Sequence, residues 1–442
     1  MRKIENLIDK DETNNIKYNV KLFPVYYMFA ADYLFFYAIE YVFLAQVKGF
    51  SGSQILLLDA MIPLFCLLLD IPLTLFVEKH GKRKSLVVGN ICMCICLILM
   101  MISTNLAEVI IAFLFNAIGF CFKGLTETNI LAESINMKNS KGKSLFAFAY
   151  SSGYKNYMIL DGITSFFIGL TFAINGYVPI IISLMFIVIA TFLSSCFKIT
   201  EREEKERLAY KNRPKKSFIK EYKKEVTNLK GAFLKFIKSR RLRALMLFIF
   251  LFSGLLYGSY SVRETLLVDY YNIDASTFGL IIAGLTIVGG LSEILQEKIQ
   301  NIFKNRTFTF ISMIFILGYL AIYGITLTDW DPNIKIALTL FLFALHYCSD
   351  SLYKCFQNTY QKNFTTNRIR VKISSVFEII RFLSEFSLAL LFSVLVEEFE
   401  ITQAFLYIGA ASLVIFILAL LYMRKRFGLR PEEYDKSEIF TK

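Results

Sequence analysis

Twelve apolar stretches, each about 20 residues long, constrain this chain more than any other feature. They run at 22–45, 54–77, 85–103, 108–131, 144–172, 177–197, 243–268, 276–295, 307–327, 334–360, 373–396 and 402–423. An apolar helix of about 20 residues spans the hydrocarbon core of a bilayer. Inside that core the backbone must satisfy its own hydrogen bonds, and a helix does so. The composition points the same way: 55% hydrophobic residues and 44 phenylalanines among 442 residues exceed what a water-soluble globule needs. The expected fold class is an all-α integral membrane protein with twelve transmembrane helices. The polar opening stretch, Met1 to Lys21, carries both signs of charge and does not read as a signal peptide.

The bases orient the spans. With the N-terminus inside, 42 of the 49 Lys and Arg residues fall in inner segments. Lys48 and Lys335 fall outside, and Lys123, Lys155, Arg263, Lys354 and Arg381 fall within spans. That asymmetry places both termini in the cytoplasm. It also accounts for the net charge of +13 without nucleic acid as a partner. The organisation that follows is a cytoplasmic segment 1–21, a six-helix bundle 22–197, a cytoplasmic linker 198–242, a second six-helix bundle 243–424 and a cytoplasmic tail 425–442. In the linker, Phe218, Tyr222, Val226, Leu229, Phe233 and Phe236 recur at spacings of three and four among many lysines. This is an amphipathic helix suited to the inner leaflet, with membrane lipids as its partner.

An ionisable residue in mid-span costs several kcal/mol unless it faces protein or water. Spans 1, 2, 4, 5, 7, 8, 10 and 11 carry such residues, Glu293 among them, while spans 3, 6, 9 and 12 carry none. The rhythm of three predicts eight helices around a polar interior and four at the periphery. Lys123, Lys155, Lys354 and Arg381 lie near the midplane, which favours a solute bearing carboxylate or phosphate. Tyr33 and Tyr257 are candidates to add hydroxyls or ring faces. Asp32, Glu127, Asp350 and Glu385 are candidate proton carriers. Lys123–Glu127 and Asp350–Lys354 are opposite charges at i, i+4. Such pairs serve equally well as internal supports or as contacts exchanged with a solute, and spacing alone leaves both open.

Other chemistries lack their residues. There is no Gly-rich phosphate loop ending in Lys-Ser or Lys-Thr, and His80 and His346 are the only histidines. All eight cysteines lie in apolar segments, so neither a disulfide framework nor a metal site is expected. No cofactor is implied, and the expected state is a monomer.

The two halves read as a degenerate repeat at an offset of 223. Phe50–Ile55 falls on Ile273–Phe278, Asp70 on Glu293, and Glu127 on Asp350. The stretch Asp70 to Lys84 sets a tight basic turn between two apolar runs, with Glu78, Lys79, Gly81 and Lys82-Arg83-Lys84. The second half shows no clear copy of that turn, because 293–306 has scattered charges and no glycine. The stretch resembles the short cytoplasmic loop between the second and third helices of the major facilitator superfamily, with Thr74 in place of its leading Gly and Glu78 in place of its Asp. The approach Ser53-Gln-Ile and the run Asp70-Ile-Pro72 resemble a bacterial branch of that superfamily rich in exporters. The resemblance implies two six-helix bundles, peripheral third helices, and alternating access in a bacterial cytoplasmic membrane. It assigns gating to Asp70, Glu78, Gly81 and Arg83. The expected activity is secondary active transport of a small charged solute coupled to protons. An exporter of amphiphilic drugs, a flippase of lipid-linked substrates and a non-transporting receptor or scaffold are the alternatives. Span five carries Gly153, Gly162 and Gly169 but no Gly-Pro, unlike the drug antiporters of the superfamily.

Overall fold

The computed structural model describes residues 14–135, 140–199, 204, 208, 218–238, 240–292, 295–363 and 370–423. The expected tail 425–442, Glu293, most of the segment 1–21 and much of the linker lie outside the described residues. The described helices are α1 (Asn14–Ala30), α2 (Tyr37–Val47), α3 (Gly52–His80), α4 (Lys82–Ile102), α5 (Leu106–Glu133), α6 (Ser140–Ile174) and α7 (Val178–Cys196). They continue with α8 (Phe218–Lys238), α9 (Arg240–Thr265), α10 (Ala275–Ser292), α11 (Gln296–Phe303), α12 (Thr307–Thr326), α13 (Pro332–Asn363), α14 (Arg370–Glu398) and α15 (Ile401–Met423).

Among the described residues, eleven helical segments are long and apolar enough to cross a membrane. The expected first span is the exception. It is not one helix over 22–45 but two pieces, α1 and α2, separated by residues 31–36. Phe35 there takes a left-handed backbone, φ 70°, and α2 passes from a 3-10 turn through a short α turn to a π turn at Phe43–Val47. Every carbonyl and amide freed by such a break must find a partner, because a buried unsatisfied polar group costs about 1–3 kcal/mol. The partners are visible. The Lys123 ammonium donates to the carbonyls of Ala30 and, at 3.3 Å, Ala31. The Ser183 hydroxyl donates to the Leu34 carbonyl. The Tyr33 amide donates to the Asp32 carboxylate at 2.7 Å, and the Tyr33 carbonyl accepts from the amides of Phe36 and Tyr37.

The chain divides into two compact units. One comprises 1–49, 64–222 and 275–280, and the other 50–63, 223–274 and 281–442. Thus the first turns of α3 belong with the second unit, where the Ser393 hydroxyl donates to the Ser53 carbonyl at 2.7 Å. The first turns of α10 belong with the first unit, where Gly279 lies against Ile168. In the first unit α4 packs on α5 and α7. Gly89 and Gly119 permit that approach, since a Cβ on Gly89 would stand 2.8 Å from the Phe122 Cβ. Phe23, Tyr26, Leu86, Leu131 and Phe197 form a buried core. In the second unit α12 packs on α13 and α15, around the rings of Phe248, Phe252, Phe308, Phe315 and Tyr353. Met185 and Phe192 on α7 and Val414 and Leu418 on α15 present bare apolar faces, whereas the apolar stretches of α4 and α12 are more buried than those of α3 and α6. Helix α8 lies within the segment read as a linker, with Ile219, Val226 and Leu234 exposed.

The offset of 223 carries into the backbone. The π turn Phe43–Val47 falls on the π turn Leu266–Tyr270, the start of α3 on the start of α10, and the start of α7 on the start of α15. Gly49 at φ 74° falls on Asn272 at φ 52°. Gly81, the single residue between α3 and α4, has φ 88° and falls on Lys304 with φ 44°. A positive φ thus recurs at the matching position, although ψ is 158° at Gly81 and −115° at Lys304, so the two reversals differ in shape. Lys304 holds a conformation that glycine adopts without steric penalty, so the sequence carried no glycine to mark it. Phe35 is the one positive-φ side chain among the described residues with no such counterpart, because Gly258 at the same offset lies inside the unbroken helix α9.

Lys48, outside the spans, ties the end of α2 to the end of α4 by donating to the carbonyls of Met101 at 3.0 Å and Ser103 at 2.7 Å. Burial lowers its pKa, and Glu108 works against that shift. At the other end of α4, Lys82 pairs with Glu133 at the end of α5. The two positive-φ turns give opposite expectations. Gly81→Val should lower the thermal unfolding midpoint of the purified protein, by a cost on the order of 1–3 kcal/mol. Lys304→Gly should hold or raise it. Equal midpoints for Gly81→Val and the wild type would show that the turn tolerates a side chain.

Candidate functional site

The sequence-predicted ionisable residues gather in two clusters, one in each unit. In the first unit the break of the first span is the centre. The buried Lys123 ammonium lies over the Phe120 ring at 5.6 Å and faces Asp32 and Glu127. The Tyr26 hydroxyl stands between Asn90, whose amide reaches it at 3.5 Å, and Glu127. Asp161 on α6 faces Asp32, with Tyr157 beside both. Lys155, expected among these groups, is instead exposed on α6. Tyr33 is buried, and its hydroxyl reaches the Met93 carbonyl at 3.4 Å. The first-unit cluster thus holds two carboxylates near one buried ammonium, with Asp161 beyond them beside Asp32, and that ammonium is engaged by backbone.

The second unit brings together residues of α3, α9, α13 and α14. The Asp350 carboxylate accepts from the Tyr260 hydroxyl and pairs with Lys354 one turn on at 2.8 Å. Asp350 is buried, whereas the Lys354 side chain is 61% exposed. Arg381 pairs with Glu378 at 2.6 Å and faces Glu385 at 3.7 Å. Glu385 also faces Lys354 and Asp350, so the two pairs share one electrostatic neighbourhood. The i, i+4 spacing of Asp350 and Lys354 accounts for that pair, and Glu378, Arg381 and Glu385 are likewise one helical turn apart.

Two features were missed by spacing alone. The guanidinium of Arg263 is buried and lies 4.8 Å from the Tyr260 ring and 4.7 Å from the Tyr347 ring. A cation between aromatic faces gains from their quadrupoles, but those rings come from two helices and no local pattern links them. Asp59, near the start of α3, accepts from the Ser261 hydroxyl, and its carbonyl accepts from Tyr257 at 2.9 Å. Tyr257 is therefore engaged by backbone. Glu264 faces both Asp59 and Arg263.

The gating candidates lie along α3 and its turn. Asp70 is half-buried beside Cys121. Glu78 is exposed, Arg83 half-buried, and Gly81 makes the reversal. The described residues contain no group of three or more His, Cys, Asp or Glu side chains placed to hold a metal ion.

A family model described as Major Facilitator Superfamily matches residues 25–386. Among curated proteins none matches. Among solved structures, a mutant form of the nucleoside transporter NupG aligns with a TM-score of 0.70 at 12% identity, covering 91% of this chain and 99% of that one. A bacterial homolog of the human lysosomal transporter Spinster, in an inward-facing and unoccupied conformation, aligns at 0.65 and 13% identity, covering 97% and 98%. The peptide transporter POT in complex with sulfate aligns at 0.63 and 12% identity, covering 97% and 99%. At these identities the likeness concerns the fold.

If Asp350 and Lys354 act as a pair, removing one partner costs more than removing both, because the survivor is left with an unbalanced charge. Lys354→Gln should lower the unfolding midpoint, and Asp350→Asn with Lys354→Gln should recover part of the loss. The exposure of Lys354 holds the effect to the order of 1 kcal/mol. Additive losses in a thermal-unfolding cycle would show that the two side chains are independent.

Proposed function

Since the chain belongs to the Major Facilitator Superfamily, we propose that it is a proton-coupled secondary transporter that moves a small charged solute across a bacterial cytoplasmic membrane by alternating access. Secondary transport is the general activity of this family and needs no enzyme chemistry. Its solute carries an anionic group that is met by Lys354 and Arg381.

The observation that carries this reading is the placement of Lys354. It sits within a membrane-spanning helix, yet its side chain is 61% exposed, and its partner Asp350 is buried beneath it. A lysine so placed is costly against lipid and makes sense where water or a polar solute reaches it. Arg381, near the same carboxylates, presents a planar fork suited to carboxylate or phosphate. The sulfate complex of the POT relative accords with an anion on this fold. Lys155 is exposed and belongs to the same proposal as an accessory base.

Coupling follows from the pairing. A solute anion that engages Lys354 and Arg381 competes with Asp350 and Glu385 for the same cations. A carboxylate that loses its cation in a low-dielectric site is costly as an anion and takes up a proton. Glu385, facing Arg381, Lys354 and Asp350 together, is the group most directly exposed to that exchange. The basic turn, with Asp70, Glu78, Gly81 and Arg83, is the inner gate in this reading.

Matched anionic and cationic ligands, titrated against purified protein, test the proposal. Lys354→Gln or Arg381→Gln should weaken the anionic ligand at least tenfold, while Lys335→Gln leaves it unchanged. Preferential binding of the cationic ligand, indifferent to both substitutions, would overturn the anionic solute and favour an exporter of lipophilic cations.

A further inference from the structure

The break in the first span poses a chemical question. Helix-end carbonyls, two nearby carboxylates and an aromatic face are the surroundings that coordinate a small monovalent cation. Here all of them face one group, the Lys123 ammonium, which donates to the carbonyls of Ala30 and Ala31. It faces Asp32 across the break and Glu127 one turn along its own helix, and lies over the Phe120 ring.

The surrounding charge favours a cation. Around this point stand Asp32, Glu127 and, on α6, Asp161, with the phenols of Tyr26 and Tyr157 and the amide of Asn90 from α4. Lys155, on the same helix as Asp161, is exposed. One Glu127 carboxylate oxygen is buried without a hydrogen-bond partner.

The other half of the chain supplies an internal control. At the offset of 223, Lys123 falls on His346 and Asp32 on Leu255. His346 stacks against Phe315 at 4.3 Å and Tyr319 at 5.3 Å. The helix α9, which corresponds to the first span, runs unbroken from Arg240 to Thr265. Where the ammonium and the aspartate are absent, the helix is continuous.

We propose that the break in the first span is a monovalent-cation site whose ion is the chain's own Lys123 ammonium. The broken shape then depends on a positive charge at that point rather than on lysine as such. A variant lacking the lysine takes up a small free cation in its place.

Thermal unfolding of the purified full-length chain in sodium, methylammonium or N-methylglucamine chloride at equal ionic strength tests this. The wild type and Lys123→Arg should unfold at one midpoint in all three salts. Lys123→Ala should unfold earlier in N-methylglucamine, whose ion is too bulky for the site, and recover most of the loss in sodium or methylammonium. Adding Asp32→Asn and Glu127→Gln should abolish the recovery. Lys123→Gln, which keeps donors but no charge and perturbs packing less, should show the same salt dependence if Lys123→Ala does not fold. An equal loss in all three salts, a recovery that survives the triple substitution, or a Lys123→Gln protein as stable as the wild type would overturn the proposal.

Discussion

The first unit depends on one ammonium. Lys123 donates to the carbonyl of Ala30, the last residue of α1, and to that of Ala31 just beyond it, so these helix-end carbonyls have a donor. A membrane interior offers no water to substitute for it. Beside that contact lie the left-handed Phe35, the Ser183 hydroxyl on the Leu34 carbonyl and the Tyr33 amide on the Asp32 carboxylate. The acidic cluster is assembled on the same stretch, so the fold and the electrostatics of this unit share one support.

The second unit manages its charges differently. Its buried cation, Arg263, rests on tyrosine rings, and its helix α9 is continuous. Its other bases sit on carboxylates one turn away. Two halves with the same backbone landmarks at a constant offset thus carry unlike interiors. Parallel six-span repeats are expected of this fold. The difference is one of exposure: the first unit's Lys123 is buried, while the second unit's Lys354 side chain is 61% exposed.

Much of this was legible in the sequence, and what was not has physical reasons. Eleven spans, the linker helix, the 223 offset and the i, i+4 pairs all come from hydrophobic length, periodicity and spacing, which are local. The break was not legible, because 31–36 reads Ala-Asp-Tyr-Leu-Phe-Phe with no Gly or Pro, and the lysine bonded to its first carbonyl is 93 residues away. The turn at Lys304 was missed because a lysine holds a left-handed backbone there. The aromatic seat of Arg263 needs rings from two helices.

The distance along the chain between Ala30 and Lys123 has a consequence for biogenesis. The first span leaves the ribosome 93 residues before its partner. At translation rates of roughly 5–20 residues per second, that is a wait of about 5–20 seconds. During it the carbonyls of Ala30 and Ala31 have no lysine, and their cheapest partners are the amides four residues on, those of a continuous helix. The contact between Lys123 and the break can therefore form only after α5 has been made.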